Sequence, residues 1–361
     1  MKSHPEDISA SKKAEELAEQ QKNVVKRIIS VIVQKWTAFL QLIGVVHHVF
    51  LWVIFPIMST WLPFYILFYT SFWWAAALYW IWYFYDLDTP SKGSRKWKTY
   101  CESVIWKWFA DYFPLKLVKT MDITPDKNYI LGCHPHGVFS IGAFTALCTD
   151  STGFSKLFPG ITPTILTLSG QFYFPFRREF GMWLGGCEVS SKSLKWLLHH
   201  PGKGRMIGIV VGGAEEALDS CPGTHNLNLK SRKGFCHYAI ANGADIIPSY
   251  SFGENDVYDQ TLPNPRGSKI RRVQTYIKKK FGFCPPFFSG CGIFTTKNGL
   301  LPYRRPITTV IGAPIGVPHD PSAPKDLVEE VHQKYCQALT DLFEQHKKTY
   351  GIAEDVHLNI H

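Results

Sequence analysis

The sequence predicts an α/β fold: a mixed, mostly parallel sheet flanked by helices, preceded by an N-terminal membrane-embedded helical hairpin. Three observations carry this expectation. Residues 36–85 contain no Asp, Glu, Lys or Arg, a run long enough for two apolar spans of about 20 residues each. Short apolar runs at 129–133, 205–211 and 245–252 each lead into a loop bearing histidines or carboxylates, as strands buried on both faces of a parallel sheet do. Residues 233–242 read as a helix closing at Gly243 just before the third run, and helix alternating with strand is the α/β pattern.

Composition agrees. A length of 361 residues fits one membrane segment and one globular domain. Aromatic residues make up 15% of the chain, with 12 Trp, and their density over 36–112 points to a membrane interface. The net charge of +10 suits an anionic membrane surface or a polyphosphate ligand such as coenzyme A. Nucleic acid is set aside, because no zinc-finger spacing or RNP-like stretch accompanies the charge. The nine cysteines form no C-x-x-C pair, which argues against a disulfide framework. With no Asn-x-Ser/Thr sequon either, the globular part is expected to face a reducing compartment.

The expected divisions are a polar cytosolic tail (1–27), the hairpin (28–88) and a cytosol-facing domain (89–361). No signal peptide opens the chain, since the first long apolar run starts too late. Lys26, Arg27 and Lys35 precede the apolar run, and Lys92, Arg95, Lys96 and Lys98 follow it, so both ends are placed on the cytosolic side. Pro56 and Pro63 are expected to break the hairpin. His47 and His48, inside it, would face the other helix or a lipid tunnel, or be structural. Residues 97–108 read as an amphipathic aromatic segment along the interface. Arg177 and Arg178 suit phosphate contacts or a solvated basic face equally. Residues 266–281 read as a basic amphipathic helix whose Ile270, Val273, Ile277 and Phe281 share one face, for the membrane surface or as an ordinary surface helix. A late strand near 307–312 and a closing helix over 324–350 complete the domain, with Leu327, Val331, Tyr335, Leu339 and Leu342 inward.

The chemistry is expected at 129–144, a strand, the turn His134-Pro135-His136-Gly137, and a helix. Free N–H groups and the positive end of the helix dipole would face the turn. There a histidine stays neutral and can act as a base, and the N–H groups can hold an oxyanion. A helix cap or an H-x-H zinc pair are the plainer readings, although zinc needs a further ligand and no second His/Cys cluster is evident. Three loops at strand ends would bring His134 and His136, Glu215 and Glu216, and Glu254 and Asp256 into one crevice.

The HPHG turn resembles the signature of the type-2 diacylglycerol acyltransferase and monoacylglycerol acyltransferase family. Gly212-Gly213-Ala214-Glu215-Glu216 is similar to that family's GGxxE block, Tyr112-Phe113-Pro114 to a short motif, and Phe39-Leu40-Gln41-Leu42 to its proposed neutral-lipid-binding stretch. The likeness extends from Trp36 to the end of the chain. It implies a glycerolipid-acyltransferase-like fold and an acyl-CoA-dependent O-acyltransferase that esterifies diacylglycerol or monoacylglycerol. Related glycerolipid acyltransferases carry an aspartate five residues after the histidine. Phe139 and Ile141 stand at those positions here, so the partner must come from elsewhere.

On this basis His136 is expected as general base and Glu216 as its orienting partner, with Glu215 in reserve. His134 would support it or exchange roles. Transfer would be direct, for no G-x-S-x-G elbow supplies a nucleophile. Arg177, Arg178, Gly137 and Val138 form the set expected to bind acyl-CoA, a co-substrate; no bound cofactor or metal is expected. Expected partners are mono- or diacylglycerol, the bilayer and the lipid droplet surface, with a homo-oligomer left open. The endoplasmic reticulum membrane and lipid droplets are the expected locations. Gly290-Cys291-Gly292 departs from an expected glycine-arginine-glycine. Wax-alcohol or retinol acylation lies within the same family; a metal-dependent hydrolase and a non-catalytic lipid-droplet protein are the rivals outside it.

Overall fold

The computed structural model describes residues 5–200, 202–262, 265, 267–281 and 286–361. Helix α1 (Pro5–Val49) passes through one π-helical stretch (Phe50–Ile54) into α2 (Phe55–Tyr69), and α3 (Trp73–Tyr85) turns back against it. The hairpin therefore turns at 70–72, not at the prolines. Pro56 follows directly on the π-helical stretch, a local widening that accommodates it within a continuous helix, and Pro63 is carried inside the helix. Thr70 ends it in an extended conformation, its hydroxyl donating to Ile66 O at 2.9 Å and accepting from Phe72 N at 3.1 Å. Among the described residues one helix, spanning 19–69, is long and apolar enough to cross a membrane. Large side chains such as Trp61 and Phe68 point outward, each 70% exposed.

The hairpin is docked on the rest of the chain at two places. After α4 (Lys98–Cys101), α5 (Val104–Tyr112) lies directly against α1. Trp106 and Phe109 are buried there, so this part of the aromatic segment is packed under α1, while Trp97 and Val104 stay exposed. His48 stacks on Phe109 with ring centres 4.4 Å apart, and His47 Nε2 meets the Tyr100 hydroxyl at 3.0 Å. Both histidines thus face α5 and its neighbours. Gln41 donates to Asp111 O at 3.2 Å and accepts from Arg304 at 2.5 Å, while Arg304 lies over the Tyr112 ring. At the far end of the hairpin, Asp86 accepts from Arg178 at 3.1 Å and from Arg95 at 2.5 Å.

Strands β1 (Lys116–Lys119), β2 (Tyr129–His134), β3 (Thr162–Thr167), β4 (Gly186–Glu188) and β5 (Arg205–Val210) are joined in the main sheet by β7 (Asp245–Phe252) and β10 (Thr308–Ile311). Small pairs are made by β6 (Asn226–Leu227), β8 (Asp259–Gln260), β9 (Phe288–Ser289) and β11 (Asn359–Ile360). The main sheet runs β1-β10-β7-β2-β5-β3-β4, parallel throughout except for β10 against β7. Helices α6 (Ile141–Cys148), α7 (Phe154–Leu157), α8 (Arg177–Trp183), α9 (Ser191–His199), α10 (Gly213–Asp219), α11 (Gly234–Asn242), α12 (Lys269–Phe281) and α13 (Lys325–His346) follow. Alternation along β2 divides the core: Leu131 and Cys133 pack with Phe109, Ile141 and Phe144, whereas Ile130 packs with Ile207, Ile246, Tyr335 and Leu339 of α13. The expected mixed, mostly parallel sheet is present, with helices on both faces.

On one helix the side turned into the protein is polar, and Val273 of the apolar face points outward, as a surface helix requires. On α12 the buried side chains are Arg271 and Gln274, and Val273 and Tyr276 are 58% and 61% exposed. Glu215 and Asp219 of α10 draw Arg271 inward at 2.9 and 2.8 Å, and Lys278 joins Glu215 at 2.9 Å. Arg266 and the Phe281 side chain, part of that reading, lie outside the described residues.

The α1–α5 contact is testable. A Cβ on Gly44 would lie 2.5 Å from Phe109 N, so Gly44→Ala forces the helices apart. Thermal unfolding in detergent is expected to show a loss of about 1–3 kcal/mol. An unchanged melting temperature would mean that α1 does not dock this way.

Candidate active site

The crevice forms where β2 and its parallel neighbours β5 and β7 end. β2 delivers His134, β5 leads into Gly212-Gly213 and α10, and β7 leads into Gly253-Glu254. The turn is longer than expected, and α6 starts only at Ile141. Gly137 and Ser140 both adopt left-handed backbone, φ 58° and 53°. A Cβ on Gly137 would come 2.6 Å from Glu254 Cγ, so the turn and the carboxylate fit only with glycine there.

The two histidines have different surroundings. His134 is buried; its Nε2 meets the Tyr335 hydroxyl at 2.9 Å, and burial pushes its pKa down to about 3. His136 is half-buried, and burial lowers its pKa as well. Its Nδ1 lies 2.9 Å from Gly137 O, which can only accept, so Nδ1 carries the proton and Nε2 keeps its lone pair. Ser140 Oγ donates to His136 O at 2.8 Å and sits 3.3 Å from Nδ1, fixing the ring from the other side.

Two buried carboxylates hold the turn by its backbone. Glu216 accepts from His136 N at 2.7 Å and from Asn228 N at 3.2 Å. Its side chain folds back over Gly212, where a Cβ would come 1.7 Å from Oε2. Glu254 accepts from Ile141 N and Gly142 N, each at 2.7 Å. Burial pushes both carboxyls up to about 7 against the pull of these N–H groups. Two expectations change. Glu216 holds the backbone of His136, whereas the imidazole N–H is held by Gly137 O. The first N–H groups of α6 are capped by Glu254, which leaves the turn N–H groups of Gly137, Val138, Phe139 and Ser140 without a hydrogen bond among the described residues.

The loop carrying Asn228 is itself braced. β11 pairs with β6 in parallel, and His361 O accepts from Leu229 N at 3.1 Å and from Lys230 N at 3.0 Å. The remaining expected residues lie elsewhere. Glu215 is paired with α12, and Asp256 accepts from Gly223 N at 2.9 Å. Arg177 is buried over the Trp52 ring of the hairpin, 4.1 Å away, and donates to Gln171 O at 2.6 Å. Burial lowers its pKa to about 9. Arg178 is spent on Asp86, including Asp86 O at 2.8 Å. Coenzyme A phosphates would have to displace these contacts. A cavity of about 490 Å³ lies beside α10, lined by Glu215, Arg271, Arg272, Thr275, Tyr276 and Lys279. Among the described residues, no group of three His, Cys, Asp or Glu is placed to hold a metal ion.

Sequence reasoning missed Ser140, Tyr335 and Asn228 as parts of this site. Only Tyr335 carried a signal, being read as an inward residue of the closing helix.

Residues 65–361 match the family model described as Diacylglycerol acyltransferase. The chain is 42% identical over 328 residues to diacylglycerol O-acyltransferase 2 of Danio rerio, covering 91% of this chain and 90% of that protein. It is 43% identical over 296 residues to acyl-CoA wax alcohol acyltransferase 2 of Homo sapiens, covering 82% and 89%. The 1-acyl-sn-glycerophosphate acyltransferase PlsC of Thermotoga maritima aligns at 13% identity and a TM-score of 0.37, covering 85% of this chain and 97% of that one. That superposition is too loose to carry an argument.

The raised carboxyl of Glu254 makes a prediction about pH. A carboxyl whose folded pKa lies above 4.5 contributes stability below that value and loses it as pH rises through about 7. The unfolding free energy of the wild type minus that of Glu254→Gln is expected to fall by roughly 3 kcal/mol from pH 4.5 to 7. His134, lowered by burial, works in the opposite direction over this range but cancels in the difference. A difference that is flat with pH would contradict the buried carboxyl.

Proposed function

The chain belongs to the diacylglycerol acyltransferase family and is an acyltransferase; from that premise we propose that it transfers the acyl group of acyl-CoA to the free hydroxyl of diacylglycerol or monoacylglycerol, making triacylglycerol or diacylglycerol. An acyltransferase replaces both rivals, the metal-dependent hydrolase and the non-catalytic lipid-droplet protein. The observation that carries the mechanism is the pinned His136 ring, with Nδ1 on Gly137 O and Nε2 open. The acceptor hydroxyl gives its proton to Nε2 as its oxygen attacks the thioester carbonyl. The N–H groups of Gly137 and Val138 receive the oxyanion. Collapse expels the coenzyme A thiolate, which takes the proton back from the imidazolium. No acyl-enzyme forms. Glu216 and Glu254 fix the turn, and His134 supports it from beneath through Tyr335.

The phosphates of acyl-CoA are assigned here to Arg272 and Lys279 in place of Arg177 and Arg178. Both line the α12 cavity, and neither has an acidic partner among the described residues. Helix α10 borders both the cavity and the turn: Glu215 faces one and Glu216 the other.

The hairpin anchors the enzyme in the endoplasmic reticulum membrane, with the catalytic domain and both ends of the hairpin cytosolic and lipid droplets as a second location. A long-chain alcohol is the second reading for the acceptor, since the wax alcohol relatives match as closely as the diacylglycerol ones.

Membranes containing the protein, offered acyl-CoA with monoacylglycerol, diacylglycerol, a long-chain alcohol and retinol together, are expected to acylate a glyceride most. His136→Ala should lose on the order of 100-fold or more in kcat. Retained turnover in His136→Ala with loss in His134→Ala would reverse the assignment. Because burial lowers the His136 pKa, the acid limb of kcat/KM should lie below pH 6.5, the ordinary histidine value. Arg272→Gln with Lys279→Gln should raise KM for acyl-CoA about tenfold at unchanged kcat, a loss of about 1.4 kcal/mol. An unchanged KM would remove the phosphates from that cavity.

A further inference from the structure

One apolar feature has no part in the chemistry above. Residues 290–301 form a compact loop whose ends are joined by two isolated bridges, Gly290 with Gly299 and Cys291 with Leu301. Its hydrogen bonds are short: Cys291 N to Leu301 O is 2.7 Å, Gly290 N to Gly299 O 2.8 Å, and Gly292 N to Thr295 O 2.9 Å. The strands approach so closely that a Cβ on Gly290 would lie 2.0 Å from Leu301 O. This loop presents Phe294 almost wholly to the outside, 98% exposed, beside Ile293 at 57%. Lys297 follows three residues later. An apolar tip so exposed carries a cost in water that an apolar surrounding would remove.

The base of the loop shows where the tip belongs. Cys291 Sγ and the Tyr112 hydroxyl both reach Pro302 O, at 3.2 and 2.8 Å. Two residues on, Arg304 donates to Gln41 of α1. Gln41 lies just inside the charge-free run that starts at Trp36, directly after Lys35. Trp36 and Phe39 beside it are 61% and 50% exposed. Aromatic side chains next to the last cation mark the headgroup level of a membrane helix. The base of the loop is therefore tied to α1 at that level.

We propose that residues 290–301 are a wedge that enters the phospholipid bilayer beside α1, with Ile293 and Phe294 among the acyl chains and Lys297 at the headgroups. The catalytic domain then has a membrane contact of its own. The hairpin anchors it and the wedge sets its tilt, so that the crevice meets lipid acceptors at the surface. This rests on the reading of α1 as a membrane helix.

The test uses the full chain in its membranes, with photoreactive benzoylphenylalanine in place of Phe294 or of Gln337, which is exposed on α13 across the sheet. Labelled phospholipid should be captured at 294 and not at 337. Ile293→Asp with Phe294→Asp should raise KM for diacylglycerol in phospholipid vesicles on the order of tenfold, within what exposing two such side chains allows. KM for acyl-CoA, and for acceptor dispersed in detergent, should not move. Equal capture at both positions, capture of protein in place of lipid (a second copy or another partner), or an unchanged vesicle KM would overturn the proposal. Release of the wild type by alkaline carbonate would instead remove its premise, the membrane helix.

Discussion

The site depends on a turn that regular structure does not hold. Between the end of β2 and the start of α6, the backbone N–H groups of His136, Ile141 and Gly142 have no partner in sheet or helix. Glu216 and Glu254 supply one, from the ends of the strands on either side of β2. Buried backbone donors must be satisfied, and two buried carboxylates are costly unless they accept such bonds. Each need answers the other. The arrangement also sets the protonation of His136, because a turn fixed at both ends leaves Gly137 O beside Nδ1.

The same economy of partners joins the hairpin to the domain. Arg178 and Arg95 share Asp86 where the hairpin ends, and Gln41 and Arg304 meet where the apolar run begins. Charged side chains buried at the hairpin's end need paired contacts, and here the pairs cross from one part of the chain to the other. The apolar hairpin and the sheet domain are thereby held at both of these points, which limits how far one can rock against the other.

Much of this was legible in the sequence. The apolar runs at 129–133, 205–211 and 245–252 became β2, β5 and β7, neighbours in the sheet, because period and composition report burial directly. Glu216 and Glu254 both reach the turn that carries His136, as their places at strand ends implied, whereas His134 turns to Tyr335. The contacts they make were not legible. Glu216 reaches a backbone amide 80 positions away, and no local pattern distinguishes an amide from an imidazole as its target. Nor does composition tell whether the arginines of 177–178 face a ligand or a hairpin. The break at 70–72 was hidden for a related reason: a helix can carry proline through, and here Pro56 follows a π-helical stretch and Pro63 lies inside α2 without ending it. On α12 Val273 faces outward, as the surface reading had it, whereas the pairing of Arg271 with Glu215 and Asp219 could not be read from the sequence.

The brace formed by β11 has a consequence for synthesis. Asn226 and Asn359 are 133 positions apart. At the pace of translation, the second follows the first by roughly ten seconds. During that interval the hairpin has already left the ribosome, while the loop bearing Asn228 still lacks its brace. The second backbone contact of Glu216 is therefore steadied late, well after the turn and the carboxylate that it joins have been made.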